Sequence, residues 1–585
     1  MAIENLITEH IDIWTSAVTT KSTSGRGSSK KLELYGIKKL RELILELAVR
    51  GKLVPQHPGE PPVTTLLDKM EQERIRLIEL GKLKKQKMQP PLKQDTHPYN
   101  LPVTWSWMRL SDVAFFQEGP GILAKDFRSS GVPLIRIAGM HEKEVSLKGC
   151  NFLDEKMVQD KWDHFRLDIG DTLLSSSASL GKVSRVTEDS AGAIAYTGLI
   201  RFKTYCALSE DYMSLFFLSG EFIRQINNNK TGAAIKHFGP THLKKMLVPM
   251  PPVKEQHRIV AKVDELMALC DQLEQQTEAS IEAHQVLVTT LLDTLTNSAD
   301  ADELMQNWAR ISEHFDTLFT TEESIDQLKQ TILQLAVMGK LVSQDPNDEP
   351  AAELLKRIAE EKAQLVKEKK IKKQKALPPI SEDEKPFELP SGWEWERIGT
   401  FGVVGTGATP SRSNPKYWDD PKYNWVSSGE TSELFVSTTK EKVSELAIQE
   451  TNVSIYPSGT LIVAMYGQGK TRGQITELTE PAGTNQACAA IQLIEKNESH
   501  KDFVKLYFRK SYEELRSNAA GGAQPNLNVG KVQSTVIAVP PLNEQQRINT
   551  KVNELLTVCD HLKAHFEAVQ NTQLHLTDAI VEQAV

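Results

Sequence analysis

The sequence predicts an α+β protein: two mixed α/β domains separated by long antiparallel coiled-coil helices, with a pseudo-twofold internal repeat. Three observations predict this fold class. A long stretch of sequence recurs about 288 positions later, two segments carry sustained apolar heptads, and two others have the texture of short strands and polar loops. At 585 residues the chain is too long for one hydrophobic core, so several domains are expected.

The repeat consists of a duplicated frame and two divergent inserts. Residues 48–54 (AVRGKLV) return as 336–342 (AVMGKLV), and the displacement holds without a gap from Ile37 to Leu110. Each copy runs into a Leu-Pro-x-x-Trp-x-Trp block, at 101–107 and 389–395, and a Pro-Pro-x-x-Glu-Gln-x-Arg-Ile block follows at 251–259 and 540–548. The first insert (Leu101 to Met250) and the second insert (Leu389 to Val539), about 150 residues each, resemble each other only faintly.

These blocks divide the chain into five segments. They are an N-terminal helical frame (1–100), a first insert domain (101–250), a central helical spacer and linker (251–388), a second insert domain (389–540) and a C-terminal coiled-coil helix (541–585). Within the frame, residues 37–80 and 325–366 have helical periodicity, with breaks at Gly51 and Gly339 and new starts near Val63 and Ala351.

Heptads after the second block predict two long helices. The central stripe contains Ile259, Val263, Leu266, Cys270 and Leu273, with Leu287 and Leu291 resuming its phase; the C-terminal stripe contains Ile548, Val552, Leu555, Cys559, Leu562, Phe566, Val569, Leu576 and Ile580. Each stripe spans about 33 residues, roughly 50 Å at 1.5 Å per residue. A helix buried in an ordinary bundle has a similar pattern, but two equivalent heptads can pair with each other. Antiparallel pairing would place one insert at each end.

The inserts combine short apolar runs with Gly, Ser, Thr and Asn, which predicts short strands, polar loops and a few helices. Residues 215–226 and 503–516 look helical in equivalent places. The repeated tryptophan pairs, Trp105 with Trp107 and Trp393 with Trp395, are expected to be core anchors at the start of each insert and not base-stacking platforms.

The sequence contains no motif for catalysis or metal binding. GxxxxGK[ST], HExxH and GxSxG are absent, and Asn414-Pro415-Lys416-Tyr417 departs at Lys416 from the Asn-Pro-Pro-Tyr of amino-group DNA methyltransferases. The five cysteines have no CxxC spacing, so neither a disulfide framework nor a zinc site is expected. No apolar run reaches the roughly 20 residues of a membrane span, and no signal peptide is recognisable. We expect a cytoplasmic protein with no catalytic residues and no metal.

Nucleic-acid binding must be judged from local charge, because the net charge of −8 is only a sum over the chain. Basic runs at 82–87 and 367–375 fit a solvated helix end as well as a phosphate or partner contact. Inside the inserts, polar loops carry the side chains that read base edges or touch the backbone. The candidate DNA-contacting residues are Arg136, Ser175, Ser176, Lys182, Lys230, Lys236, His237, Thr409, Arg412, Ser427, Ser428, Lys470, Arg472, Asn485, Gln486, Gln524 and Asn526.

The two repeated blocks carry a family likeness. Leu-Pro-x-x-Trp-x-Trp opening each insert and Pro-Pro-x-x-Glu-Gln-x-Arg-Ile closing it resemble the specificity subunits of type I restriction-modification systems. The segment 407–411 (GATPS), with Tyr417-Trp418 and 425–429 (WVSSG) downstream, looks like the start of a recognition domain of that family. In the first insert, 119–121 (GPG) and 134–136 (LIR) correspond more loosely. The long stretch before Ile37 and the extended central region suggest the larger-framed subgroup.

The resemblance implies a non-catalytic subunit in which each insert is a target-recognition domain that reads one half of a split, asymmetric DNA target. It implies two modification subunits that use S-adenosylmethionine to methylate adenine, and two restriction subunits that use ATP and Mg²⁺. The chain itself is expected to bind no cofactor. A spacer of roughly 50 Å spans about 15 base pairs at 3.4 Å each. A stand-alone DNA-binding regulator, a coiled-coil scaffold and a fused methyltransferase-specificity enzyme are the alternatives.

Overall fold

The computed structural model describes residues 3–22, 30–80, 92, 97–141, 144–176, 182–206, 208–228, 238–299, 301–466, 471–517 and 527–585. The chain forms two compact units of mixed helix and sheet. Unit 1 comprises Met1–Ser280 with Val569–Val585, and unit 2 comprises Ile281–Ala568. Each unit contains one insert and one copy of the duplicated frame.

The helices of unit 1 are α1 (Ile3–Glu9), α2 (Ile11–Ser16), α3 (Tyr35–Arg50), α4 (Leu67–Glu79), α5 (Leu110–Val113), α6 (Glu155–Lys161), α7 (Glu210–Leu218), α8 (Gly220–Asn228), α9 (Pro240–Leu243) and the first part of α10 (Val253–Thr296). Its strands are β1 (Thr19–Ser22), β2 (Lys30–Glu33), β3 (Ser106–Arg109), β4 (Ala114–Glu118), β5 (Val132–Ile135), β6 (Asn151–Leu153), β7 (Thr172–Ser175), β8 (Val183–Arg185), β9 (Ile194–Ala195), β10 (Leu199–Thr204) and β11 (Leu247–Met250).

Unit 2 contains the end of α10, then α11 (Ala301–Ser312), α12 (Phe315–Leu318), α13 (Glu322–Val337), α14 (Ala351–Lys367), α15 (Ile398–Phe401), α16 (Glu445–Glu450), α17 (Glu498–Ser517), α18 (Val529–Ser534) and most of α19 (Leu542–Ala584). Its strands are β12 (Glu394–Arg397), β13 (Gly402–Thr406), β14 (Tyr423–Val426), β15 (Phe435–Val436), β16 (Glu441–Val443), β17 (Leu461–Ala464), β18 (Ile475–Leu478), β19 (Ala482–Thr484), β20 (Cys488–Leu493) and β21 (Val536–Val539).

The two inserts share one topology despite their faint sequence similarity. A sheet of order β4-β10-β7-β8 in the first insert corresponds to β13-β20-β17-β18 in the second, which adds β15 at its edge. A small sheet β6-β5-β9 corresponds to β16-β14-β19, and in each the last pair is parallel. The antiparallel pairs β3–β11 and β12–β21 join the first and last strands of each insert, so the flanking repeated blocks become spatial neighbours.

The frame helices begin and end where the sequence predicts. Helix α3 ends at Gly51 with φ +70°, and the equivalent Gly339 has φ +71°. A side chain there would also collide with the insert, because an added Cβ would lie 2.5 Å from Pro102 Cγ in one copy and 2.5 Å from Pro390 Cγ in the other. Glycine is therefore required twice for one reason, a left-handed turn packed against the entry to the insert.

One predicted helix is divided. Residues 215–226 were expected to form one helix, but α7 ends at Leu218 and α8 begins at Gly220. Ser219, at ψ 155°, interrupts them, and its hydroxyl donates to Phe216 O and accepts from Phe222 N. A serine that bonds the local backbone competes with the helical ladder. The second predicted helix, 503–516, lies within α17.

The predicted apolar stripes are buried in the first half of each long helix, but in the second half a different set of residues is buried. Helix α10 has 44 residues and α19 has 43. Ile259 to Leu273 are buried on the predicted phase, as are Ile548, Val552 and Cys559 with Leu555 half-buried, but Leu287 and Leu576 are exposed. The buried side chains are instead one position later, at Val288, Leu292, Leu295 and Thr577.

The one-residue shift has a geometric origin. A straight α-helix drifts about 20° per heptad from a strict 3.5-residue repeat, which over four heptads approaches the 100° between adjacent residues. The helices therefore follow the 3.6-residue period over their length. Within unit 2 the second half of α10 and the first half of α19 enter one hydrophobic core, which includes Val288, Leu292, Ile548 and Val552. Unit 1 contains the first part of α10 and the last part of α19, so the helices run through the units in opposite order.

Candidate nucleic-acid interface

The repeated blocks form a clasp at the base of each insert, defined here as the tryptophan of the opening block with the Glu-Gln pair of the closing block. In unit 2, Glu544 is buried and accepts hydrogen bonds from Trp393 Nε1 (3.0 Å) and Gln344 Nε2 (3.1 Å). In unit 1, Glu255 accepts one from Gln56 Nε2 (2.7 Å). Burial raises the pKa of both carboxyls. The prediction that the tryptophan pairs are core anchors is confirmed for Trp105, Trp107 and Trp393, which are buried, whereas Trp395 is half-buried against the core.

The glutamine of each clasp connects the insert to its long helix. Gln256 Nε2 donates to Pro251 O (2.9 Å), and its Oε1 accepts from Ser209 N (2.8 Å), the N-cap of α7. Gln545 Nε2 donates to Pro540 O (2.7 Å), and its Oε1 contacts His500 Nδ1 of α17 (3.1 Å). Both amides are fully buried. The inserts are thereby fixed to α10 and α19 by satisfied buried hydrogen bonds, which are directional and costly to break.

Ion pairs and a capping lysine complete each copy. Arg258 pairs with Glu60 at 2.5 Å, and Arg547 pairs with Asp348 at 2.6 Å. Each arginine lowers the pKa of its carboxyl partner through the hydrogen bond. Lys340 Nζ donates to two carbonyls at the C-terminal end of α10 (2.8 Å each), where an ammonium is favoured by the helix dipole.

The candidate interface is one edge of each insert. It is defined by three loops: those that follow the two parallel strands, β5 and β9 or β14 and β19, and the one that follows β4 or β13. Tyr196 N donates to Ile135 O (2.9 Å) at this edge of the first insert, and Asn485 N donates to Val426 O (3.0 Å) at the same place in the second. An added Cβ would lie 2.0 Å from Ala195 O at Gly119 and 1.6 Å from Thr484 O at Gly407. The two glycines are thus equivalent, and they let the loop cross the end of the neighbouring strand.

Polar candidates converge at the edge of the second insert. Thr409 Oγ1 donates to Gln486 Oε1, and both side chains are exposed. Ser427 Oγ donates to Glu430 Oε2 (3.0 Å) within a capping box, and Ser428 O accepts from Thr431 Oγ1 (2.8 Å). Asn485 Oδ1 accepts from Ala487 N (3.0 Å). Thr409 and Gln486 are thus bonded to each other, and the side chains of Ser427 and Asn485 are held by local hydrogen bonds. These candidates are called the polar rim below.

Arg412 is the most strongly positioned cation of that rim. Its guanidinium lies over the ring of Trp418, 3.8 Å from the centroid, and 5.6 Å from that of Trp425. It makes a bidentate pair with Glu441, Nη1 to Oε1 at 2.5 Å and Nη2 to Oε2 at 2.8 Å. The pair raises the pKa of Arg412 and lowers that of Glu441. Arg412 and Glu441 nevertheless remain 56% and 44% exposed.

The edge of the first insert has a different composition. Arg136 follows β5 at the position of Ser427, is exposed, and lies 6.0 Å from the ring centroid of Tyr196. Tyr196 occupies the position of Asn485, and its hydroxyl donates to Ile122 O (3.1 Å). The first edge thus presents an arginine beside an aromatic ring where the second presents serine and asparagine.

Hairpins β7–β8 and β17–β18 flank these edges. Ser175 and Ser176 are both fully buried, and Ser176 Oγ donates to Gly198 O (3.1 Å), so their hydroxyls do not face the surface in this structure. Lys182 and Arg472, which precede β8 and β18, are partly exposed. Phe238 N donates to Ser176 O (3.1 Å). The remaining candidates, Lys230, Lys236, His237, Lys470, Gln524 and Asn526, lie outside the described residues.

Sequence reasoning missed Glu441, Trp418 as an arginine platform, and Tyr196. No sequence signal points to Glu441, because its place opposite Trp425 depends on the register of β14 and β16. The position of Tyr196 depends on a parallel strand pairing that residue spacing does not reveal.

Other kinds of site were searched for among the described residues. No group of three or more His, Cys, Asp or Glu side chains there is arranged to hold a metal ion. In the same part of the chain, no helix is both long enough and apolar enough to cross a membrane. The five cysteines are free thiols, and burial raises the pKa of Cys270 and Cys559 to about 11.

Comparison with known proteins follows the same division of the chain. The type I restriction modification DNA specificity domain matches twice, at residues 102–283 and 390–567. The chain is 41% identical over 616 residues to the EcoEI type I restriction enzyme specificity subunit of Escherichia coli, and 39% identical over 618 residues to the EcoAI specificity subunit of the same species; each match covers 100% of both chains. A solved HsdS subunit from Thermoanaerobacter tengcongensis matches with TM-score 0.40 and 17% identity, over 83% of this chain and 98% of that chain.

Proposed function

Because the chain belongs to the type I restriction-modification DNA specificity family, we propose that it reads a bipartite, asymmetric DNA sequence for such an enzyme, one half-site with each insert. It is a specificity subunit and not a catalytic one. The observation that carries the bipartite proposal is the double match of the family domain, once across each insert. The inserts correspond to target-recognition domains at 101–250 and 389–540.

The two edges support an asymmetric target. Their topology is the same, so each can present loops to DNA in the same way. Their side chains differ, with Arg136 and Tyr196 on one edge and Ser427, Asn485 and Arg412 on the other. Since base identity is read by the donors and acceptors that side chains present in the grooves, unlike edges select unlike half-sites. Lys182 and Arg472 beside the hairpins suit phosphate contacts that set the register.

The partners follow from the same family. We propose that two modification subunits dock on the helical frame and use S-adenosylmethionine to methylate an adenine in each half-site, and that two restriction subunits supply ATP- and Mg²⁺-dependent cleavage. Adenine methylation requires the base to leave the helical stack. The task of this chain in the assembly is to fix sequence and register, and DNA as the target is consistent with residence in the cytoplasm.

Methylation of a random DNA library tests the proposal. The chain is purified with and without adenine methyltransferase subunits of a closely related system, and the methylated sequences are read out. Methylation at a split motif is expected only in the mixture. Methylation by the chain alone would contradict its non-catalytic role, and no methylation with matched partners would contradict the reading function.

An insert exchange tests the division into two readers. Residues 389–539 are replaced by the corresponding insert of a relative, leaving the frame unchanged. One half of the methylated motif is expected to change and the other to stay. A change in both halves would show that the inserts do not read independently. The stand-alone regulator would instead bind its site tightly without partners, and the scaffold would select no DNA sequence in either experiment.

A further inference from the structure

The arrangement around Arg412 goes beyond a surface cation. The guanidinium carbon lies 3.8 Å from the ring centroid of Trp418, and the two terminal amino groups both donate to Glu441. The ring supports the guanidinium from one side, and the bidentate carboxylate fixes the direction of its fork. An arginine that served only as a positive charge near phosphate would need neither constraint, because a phosphate accepts hydrogen bonds from many directions.

The aromatic platform does not depend on the arginine. Trp425 is buried and its Nε1 donates to Ala408 O (3.1 Å), while Trp418 Nε1 donates to Ser411 O (3.3 Å). Both rings are therefore held by the backbone of the loop that carries Arg412. The pair of Arg412 and Glu441 is half-exposed, and exposed pairs contribute little to stability. The pair therefore adds little to the fold, and Arg412 follows in the same loop as Thr409, which bonds Gln486.

Resting on the proposed function, we propose that Arg412 reads a guanine in the half-site of the second insert. To donate to the base, the guanidinium breaks its ion pair with Glu441, and this loss makes Glu441 a determinant of specificity. Arginine donating to guanine O6 and N7 is the commonest specific contact in the major groove. The two oxygens of Glu441 occupy the place of those two acceptors in free protein. Only a base that presents two suitably placed acceptors compensates for the lost ion pair. With any other base Arg412 stays paired with Glu441, and the complex lacks that contact and binds more weakly.

Substitutions in the full chain, assembled with modification subunits, test this inference on a library randomised across the second half-site. Arg412→Ala is expected to lower discrimination at one guanine position by about 10-fold or more and to leave other positions unchanged. Arg412→Lys keeps the charge without the fork, so it should lose the same discrimination. Glu441→Gln is expected to strengthen binding to non-cognate DNA by roughly 3- to 10-fold and to steepen the salt dependence by about one unit, because Arg412 becomes free for phosphate.

The matched control is Glu349→Gln. Glu349 pairs with Arg357 on the frame of the same unit, with exposures of 49% and 51% that are close to those of the Arg412 pair. This variant should leave the selected motif and the salt dependence of DNA binding unchanged; because the pair lies on the frame, assembly with the modification subunits is checked separately by gel filtration. It measures how the loss of an exposed ion pair affects DNA binding when the pair lies outside the candidate interface of the second insert.

Several results would overturn the inference about Arg412 or the function on which it rests. If Arg412→Ala weakens binding to all sequences equally and lowers the salt slope, Arg412 contacts phosphate and the inference is wrong. It is also wrong if Glu441→Gln behaves like Glu349→Gln, or if it lowers the unfolding temperature with no change in discrimination. If the unaltered assembly selects no split motif, the proposed function fails first. If it selects one and Arg412→Ala selects the same motif, the guanine assignment alone is overturned.

Discussion

Replacing the clasp glutamine Gln545 with leucine should destabilise unit 2 by a calculable amount. Gln545 is 0% exposed and bonds Pro540 O at 2.7 Å and His500 Nδ1 at 3.1 Å. Burial lowers the pKa of His500, so the ring is neutral and can donate its Nδ1 proton. Gln545→Leu leaves both groups buried without their partner, at about 1–3 kcal/mol each, offset by about 1 kcal/mol from the added apolar burial. We expect a net loss of about 1–5 kcal/mol.

The assay compares Gln545→Leu with the same substitution at the next residue, which is a glutamine on the surface. Gln546 is exposed on the same helix, so Gln546→Leu should change stability by less than about 0.5 kcal/mol. Urea unfolding followed by tryptophan fluorescence, with hydrogen exchange to localise the effect to α17 and α19, measures both. Gln256→Leu should produce a comparable loss in unit 1, where the amide bonds Ser209 N and Pro251 O. Equal stability of the Gln545 and Gln546 variants would refute the reasoning.

Three substitutions elsewhere in unit 2 test other elements. Gly339→Ala, at φ +71° with the new Cβ 2.5 Å from a proline ring carbon, should cost about 1–3 kcal/mol in thermal unfolding, whereas Gly59→Ala, with open space around it, should cost less than about 0.5 kcal/mol. Arg397 lowers the pKa of Glu384 to about 2, so this pair stabilises the fold above pH 4.5 and the contribution is lost as the pH falls toward 2; acid unfolding of Glu384→Gln should lack that component. Lys340→Met removes the cation at the end of α10 and should speed hydrogen exchange there, with a loss of about 0.5–1.5 kcal/mol.

The frame could be predicted from sequence because its signals are local and duplicated. The breaks at Gly51 and Gly339 mark helix ends, and the apolar stripes mark the faces that are buried near the start of each long helix. The stripes failed in the second half of each long helix, since sequence periodicity near 3.5 does not reveal whether the helix supercoils or stays straight. Ser219 was not recognised as a break, because a serine inside an apolar pattern is compatible with either state.

The candidate site could be predicted only in part. The loops of the second insert were identified from residue type, and Thr409 and Gln486 do lie together. Ser175 and Ser176 looked like a polar loop, but Ser175 ends β7, which lies between β10 and β8 and is covered along its length. Which side chains share an edge depends on long-range strand pairing. No short window of sequence contains that information.

The residues that the two halves share and those that differ face different physical demands. Glu544 and Gln545, like Glu255 and Gln256, are buried with directional hydrogen bonds, so most substitutions leave an unpaired polar group and cost several times the effect of a surface change. The edge residues are exposed or half-buried and are held by loops that the glycines Gly119 and Gly407 shape. Their side chains can therefore be exchanged with little effect on folding. A scaffold with this division can change the sequence it reads while its clasp, and so the attachment of each insert to the long helices, stays the same.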